Sequence, residues 1–272
     1  MNSKLIKTEG LIIRENVYGE GDCIFTVLTP QKGRVTVIGK AAKGSRSSAG
    51  TMSVGYYMNF VFYKKDSMCW MKECELVEPF MNIRSNIVAS ALSAYIMDVA
   101  YELSDDGQEC YDILAVTFNS LYALNYKSEM AYDLIKGAFE LKAMSVSGYM
   151  PSVTKCEVCS KLSEDMYLDV MNGGIICNSC MRKRADQPLQ ISPDDSDYHA
   201  PVNILCPVTP DVICAMHFVI CAPFSKMLSF RLEDEHELHL FEAACKTYTL
   251  NHLERDFESL KYYYSVRSKF KS

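Results

Sequence analysis

The stretch Cys156-Glu-Val-Cys159, then 17 residues numbered 160–176, then Cys177-Asn-Ser-Cys180, sets how the second half of this chain is read. Two Cys-x-x-Cys pairs at this separation have the spacing of a four-cysteine zinc site. A two-residue gap lets a tight turn aim both sulfurs of a pair at one point, and a hairpin returning the second pair completes a tetrahedral shell. The intervening residues suit that path. Met166-Tyr-Leu-Asp-Val170 predicts one strand, Asn172-Gly-Gly174 a turn, and Ile175-Ile176 the strand entering the second pair. Four unrelated thiols would not be expected to frame a hairpin. A redox dithiol needs one pair opening a helix, not two facing each other. Four thiolates also leave no open coordination position, so the expected zinc holds structure and does not activate water.

The rest of the chain has to carry folds of its own. Its 272 residues are enough for two or three cores, and 49% hydrophobic with 23% charged residues is an ordinary globular balance. The first nine residues show no apolar signal core, and twelve cysteines without one point to a reducing, cytoplasmic setting. Outside the two pairs, the eight other cysteines are expected as buried free thiols. The longest apolar run, residues 212–224, is interrupted by His217 and Pro223. It is too short to span a bilayer, so no membrane partner is expected. Net charge is −6, yet residues 1–80 hold 11 Lys and Arg against 8 Asp and Glu, a net of +3, which leaves −9 on the remainder. A polyanion would be met at the N-terminal end.

That end reads as strands. Residues 5–13 begin a long one, Tyr18-Gly-Glu-Gly-Asp22 is a turn, and Cys23-Ile-Phe-Thr-Val-Leu28 and Arg34-Val-Thr-Val-Ile38 follow across Thr29-Pro-Gln-Lys-Gly33. Residues 39–51 form a small-residue connection carrying Lys40, Lys43 and Arg46, and two aromatic-rich strands come next, at 56–63 and 68–77. Five strands with a long connection after the third predict a Greek-key barrel of the OB type over 1–80. Tyr56, Tyr57, Phe60 and Tyr63 would be shared between filling the barrel and stacking on bases.

From Asn86 the period becomes helical: Val88, Leu92, Tyr95, Val99 and Leu103, then Leu114, Phe118, Leu121 and Leu124, then Met130, Leu134, Ala138 and Leu141. Thr209-Pro-Asp211 opens a further helix with Thr209 as N-cap, and one last long helix is expected from about Glu233 to Tyr264. The fold class is multidomain α+β. It comprises an OB-fold barrel (1–80), a helical domain (81–152 and 186–272) and an inserted four-cysteine zinc hairpin (153–185).

Two other groups invite chemistry. His236-Glu-Leu-His239 has one residue too few between its histidines for a helical zinc-protease motif and is expected as an acidic, solvated first helical turn. Cys214, His217 and Cys221 share a helix face but lie in an apolar segment, where burial of soft side chains is expected. No phosphate-binding glycine loop or nucleophile motif is present, so no catalytic residue is assigned and no enzyme is expected. A zinc-ribbon RNA-binding module, and less readily a zinc-dependent nucleic-acid-modifying enzyme, remain as alternatives.

The order of these segments resembles the bacterial DNA-repair family RecO, the recombination mediators. The resemblance lies in residues 18–30 with Gly33-Arg34, in Gly39-Lys-Ala-Ala-Lys-Gly44, in Phe139-Glu-Leu-Lys-Ala-Met144, and in Gly148-Tyr-Met-Pro151 leading into Cys156. It covers residues 5–182 well and thins afterwards. It implies binding and annealing of single-stranded DNA and help in loading recombinase onto DNA coated by single-strand-binding protein (SSB). RecR and the acidic C-terminal tail of SSB are the implied partners. Carried onto this chain, it implies DNA contacts at Arg34, Lys40, Lys43 and Arg46, and one structural Zn2+ on Cys156, Cys159, Cys177 and Cys180. The SSB tail implies an apolar pocket rimmed by a cation, for which Lys226, Arg231, Lys246 and Arg255 are candidates.

Overall fold

The computed structural model describes residues 5–18, 22–39, 52–65, 68–127, 130–185 and 204–270. The chain forms two compact units, residues 1–132 with 256–272, and residues 133–255.

The first unit is built on a closed barrel of β1 (Leu5–Tyr18), β2 (Asp22–Thr29), β3 (Gly33–Gly39), β4 (Tyr57–Lys65) and β5 (Met68–Glu78), in the order β1-β2-β3-β5-β4. Alternation drives it. In β2, Cys23, Phe25 and Val27 point inward while Asp22, Ile24 and Thr26 are half-buried, as a period of two requires. These residues meet Val35, Val37, Met58, Phe60 and Phe62 in one core, where Phe60 and Phe62 stack at 5.2 Å. β3 and β5 pair in parallel at Val37 with Cys69 and Ile38 with Trp70, and β4 closes the barrel onto β1. Phe60 therefore fills the barrel, and Tyr57 packs edge-on against Phe118 at 4.9 Å. Neither is left on an open stacking face.

Helices α1 (Met81–Ser85), α2 (Ile87–Glu102) and α3 (Tyr111–Tyr126) follow β5 in the same unit. Asn86 starts α2 by accepting hydrogen bonds from the N–H groups of Val88 and Ala89, the N-cap its side chain is suited to. The β2–β3 turn docks onto the α2–α3 connection. The Gly107 N–H donates to Lys32 O at 2.9 Å and the Cys110 N–H to Pro30 O at 3.0 Å. Gly33 is required there, since its φ is +59° and a Cβ would lie 1.8 Å from Asp105 O.

The C-terminal segment departs from expectation: α7 (Glu235–His252) and α8 (Glu258–Phe270) replace one continuous helix. Glu254, at φ 48°, breaks the run, and α8 returns to the first unit to pack along α2. Phe257 meets Tyr95 edge-on at 5.6 Å, and Ser259 donates to Asp98 at 2.7 Å.

The second unit holds α4 (Tyr132–Val146, from Asp133 on), α5 (Asn178–Ala185), α6 (Pro210–Cys221), α7 and a four-stranded sheet in the order β6-β8-β7-β9. Its strands are β6 (Ser152–Cys156), β7 (Met166–Asp169), β8 (Gly174–Cys177) and β9 (Leu205–Val208). The predicted hairpin is β7–β8, and β9 adds an antiparallel strand to it that the sequence did not announce. Thr209 caps α6 as expected, accepting from the Val212 N–H. Two lysines are buried. Lys136 lies between Glu140 and Glu242, its Nζ 2.8 Å from each. Lys142 donates to the carbonyls of Ile220 and Ala222 at the end of α6, where a cation suits the helix dipole. No helix of the described residues is long and apolar enough to cross a membrane.

Candidate metal centre and nucleic-acid interface

The four cysteines converge as the spacing requires. The Sγ atoms of Cys156, Cys159, Cys177 and Cys180 all lie within 4.8 Å of one another. Cys159 and Cys177 are 3.8 Å apart, close to the edge of a tetrahedron with bonds of about 2.3 Å. The first pair sits on a turn closed by the Ser160 N–H donating to Cys156 O at 2.8 Å, with Ser160 at φ 59°. The second pair straddles the end of β8 and the first turn of α5.

The hairpin between the pairs is fastened at its far end by Asp169. This buried carboxylate accepts from the Asn172 backbone and side chain and, at 2.9 Å, from Arg184 on α5. Gly173, at φ 67°, allows the turn that the Asn-Gly-Gly sequence predicted.

The electrostatics of the sulfurs suit a cation. Burial would raise the Cys156 thiol, but backbone N–H groups of Cys159, Cys177 and Val158 donate to its sulfur and lower it to about 6. Hydrogen bonding with Cys177, burial and the remaining sulfurs push the Cys180 thiol up to about 12. A dication held by these four sulfurs would displace their shared protons and relieve their mutual repulsion. Cys156, Cys177 and Cys180 are buried and Cys159 is exposed, so the cluster reaches the surface at Cys159.

The other thiols correct the expectation of general burial. Cys23, Cys110 and Cys245 are buried, but Cys214 and Cys221 are exposed. The buried face of α6 is Val212, Ile213, Ala215, Met216 and Val219, and in a helix apolar on every side the sequence does not say which face packs. His217 lies 3.7 Å from Cys221, but these residues do not gather three ligand atoms. His236 and His239 sit in the exposed first turn of α7, which Asp234 caps, as expected.

Of the basic residues implied to meet DNA, Lys40, Lys43 and Arg46 lie outside the described residues. Arg34 is described and faces inward: its side chain is 18% exposed, with Nε 3.2 Å from Asp106 and Nη2 3.7 Å from Asp105. Nη1 donates to Tyr101 O at 3.0 Å, and the guanidinium lies over the Tyr101 ring at 4.1 Å. Arg14 covers that ring too, at 3.4 Å. Tyr101 thus joins β1 and β3 to the end of α2, a contact that side chains 67 to 87 positions apart give no pattern for.

Two family models match the chain, and they part where the barrel ends. Residues 1–80 match the model described as Recombination protein O N terminal, and residues 84–194 the model described as Recombination protein O C terminal. The chain belongs to the RecO family. Among relatives named DNA repair protein RecO, that of Acetivibrio thermocellus is 30% identical over 179 residues, 65% of this chain and 70% of the relative. That of Alkaliphilus metalliredigens is 31% identical over 179 residues, 65% and 72% of the two chains. The relative from a Thermoanaerobacter species is 26% identical over 186 residues, 67% and 74%. In this RecO-family chain the matched region ends at residue 194, before α6, α7 and α8.

Proposed function

We propose that this protein is a recombination mediator of bacterial DNA repair. It acts in the cytoplasm, binding and annealing single-stranded DNA and helping, with RecR, to load recombinase onto SSB-coated strands. The observation that carries the proposal is the closed β1-β2-β3-β5-β4 barrel, in a chain of the RecO family, whose β3 and β4 are joined by a basic small-residue connection. Small barrels of this class hold single strands by phosphate contact and base stacking. Lys40, Lys43 and Arg46 on the connection supply the phosphate contacts. Arg34, paired with Asp105 and Asp106, braces the strand from which the connection departs.

One zinc held by Cys156, Cys159, Cys177 and Cys180 completes the sheet of the second unit. Filled by four sulfurs, that shell offers no position for a reacting water, which supports a mediator in place of an enzyme. The acidic tail of SSB docks on the helical part of the chain, against an apolar pocket with a cation at its rim.

The test is salt-dependent binding of a single strand by the Lys40, Lys43 and Arg46 triple neutral variant. Each lost phosphate contact flattens the log-affinity against log-salt slope by about 0.7, so the triple variant is expected to lose about 2. A wild-type slope with wild-type annealing would remove the connection from the DNA path.

A further inference from the structure

Within the first unit, a recess of about 420 Å³ opens beside residues 53–55, two positions after the basic connection ends. Its floor is apolar, made by the buried side chains of Phe80, Met97 and Leu121. Ser90 and Ser93 add hydroxyls to one wall, and Arg84 stands at the rim. Arg84 differs from the other arginines of this barrel side. Arg14 and Arg34 are matched with carboxylates, whereas no carboxylate among the described residues pairs with Arg84. Its guanidinium lies 4.4 Å over the Tyr56 ring, and Nη2 donates to Val54 O at 3.1 Å. Those two contacts hold the group in place and leave further N–H donors directed elsewhere, the state of an anion anchor ordered before its ligand arrives.

We propose that this recess takes one nucleotide of a bound single strand, with a phosphate on Arg84 and the base against Phe80, Met97 and Leu121. The proposal rests on the single-strand reading above and extends its DNA path from the connection to α1 and α2. One cation suffices for one phosphate. Arg84 is the only cationic side chain lining the recess among the described residues, and the recess wall at residues 53–55 comes just after the basic connection in sequence, which favours a strand over a peptide. The apolar floor with hydroxyls along one wall suits a flat heterocycle, which is recognised by its faces in sites tolerant of sequence.

The experiment measures fluorescence anisotropy of a labelled oligothymidylate, and of an abasic oligomer of equal length, on full-length protein. Arg84→Gln is expected to weaken oligothymidylate binding and to flatten its salt slope by about 0.7. Ala94→Phe, which fills the recess without changing charge, is expected to weaken it about fivefold or more at unchanged slope, the scale of one lost base contact. The abasic oligomer should respond to Arg84→Gln but not to Ala94→Phe. Thermal melting of both variants separates loss of the subsite from loss of the fold, and Arg84→Lys should restore the slope in a folded protein. Wild-type affinity and slope in both variants, while wild-type protein binds DNA, would overturn the subsite and leave the single-strand reading intact. Failure of wild-type protein to bind either oligomer would overturn both. Tight binding of an acidic peptide, abolished by Ala94→Phe while DNA binding persists, would overturn the subsite in favour of a protein ligand.

Discussion

The barrel and the small sheet are both β-structures, but they reach stability by different means. The barrel has strands of 7 to 14 residues, closes on itself, and encloses ten buried side chains among the described residues, from Ile12 to Phe62. Each large apolar side chain it buries is worth about 1.5–3 kcal/mol, so packing suffices. The sheet of the second unit has strands of four or five residues and is open. Two of its strands end in cysteines, and the sulfur cluster occupies a place that apolar contacts would fill in a larger sheet. Short strands bury little, and a metal crosslink at the four cysteines would offset the shortfall.

Removing the metal sharpens this contrast most. A structural zinc contributes folding free energy on the order of 10 kcal/mol. Chelation, or Cys177→Ser, is expected to open amide exchange across β6, β7, β8 and β9 while β1 to β5 stay protected. Equal loss of protection in both sheets would mean that the barrel also depends on the site. Stoichiometric metal should be measurable in protein washed with a weak chelator.

Next in size is the buried lysine between α4 and α7. Lys136 is fully buried between two carboxylates; burial alone would lower its pKa, and Glu140 and Glu242 outweigh this to leave it raised. Lys136→Met leaves two facing carboxylates without a cation, a loss of about 3–5 kcal/mol. Such carboxylates bind protons more tightly folded than unfolded, so the variant should recover stability as pH falls from 8 toward 5.5. Urea midpoints at the two pH values would show it, and a pH-independent loss would assign the cost to packing alone.

The smallest effect belongs to the barrel's anchor on α2. Tyr101→Leu removes the ring between Arg14 and Arg34 and is expected to cost about 1–2 kcal/mol. Asp105 and Asp106 are largely exposed, so water screens their pairs with Arg34 and these add little. A loss above the cost of Lys136→Met would show that the barrel, too, relies on one polar anchor.

Much of this molecule was legible from local patterns. Alternation along residues 23–38 and 56–63 gave strands because one face of each had to be dry. The Asn172-Gly-Gly174 turn and the cysteine spacing placed four sulfurs together, since ligand geometry restricts the loops that fit it. Thr209 marked a helix start because its side chain satisfies an N–H group that nothing else reaches, and periodicity marked the helix after Asn86.

Other features depended on which surfaces meet. Periodicity ran across residues 233–264 without showing the break at Glu254, because both halves are helical and only docking along α2 requires the chain to turn. The exposure of Cys214 and Cys221 followed from which side of an all-apolar helix found a partner. The inward turn of Arg34 required Tyr101, Asp105 and Asp106, and the recess beneath Arg84 required α1 and α2 to come beside residues 53–55. Sequence determines the repeating local choices, where each residue answers to its own neighbours along the chain. Pairings between distant side chains are decided only in the folded structure, because their energy depends on distances that local patterns do not encode.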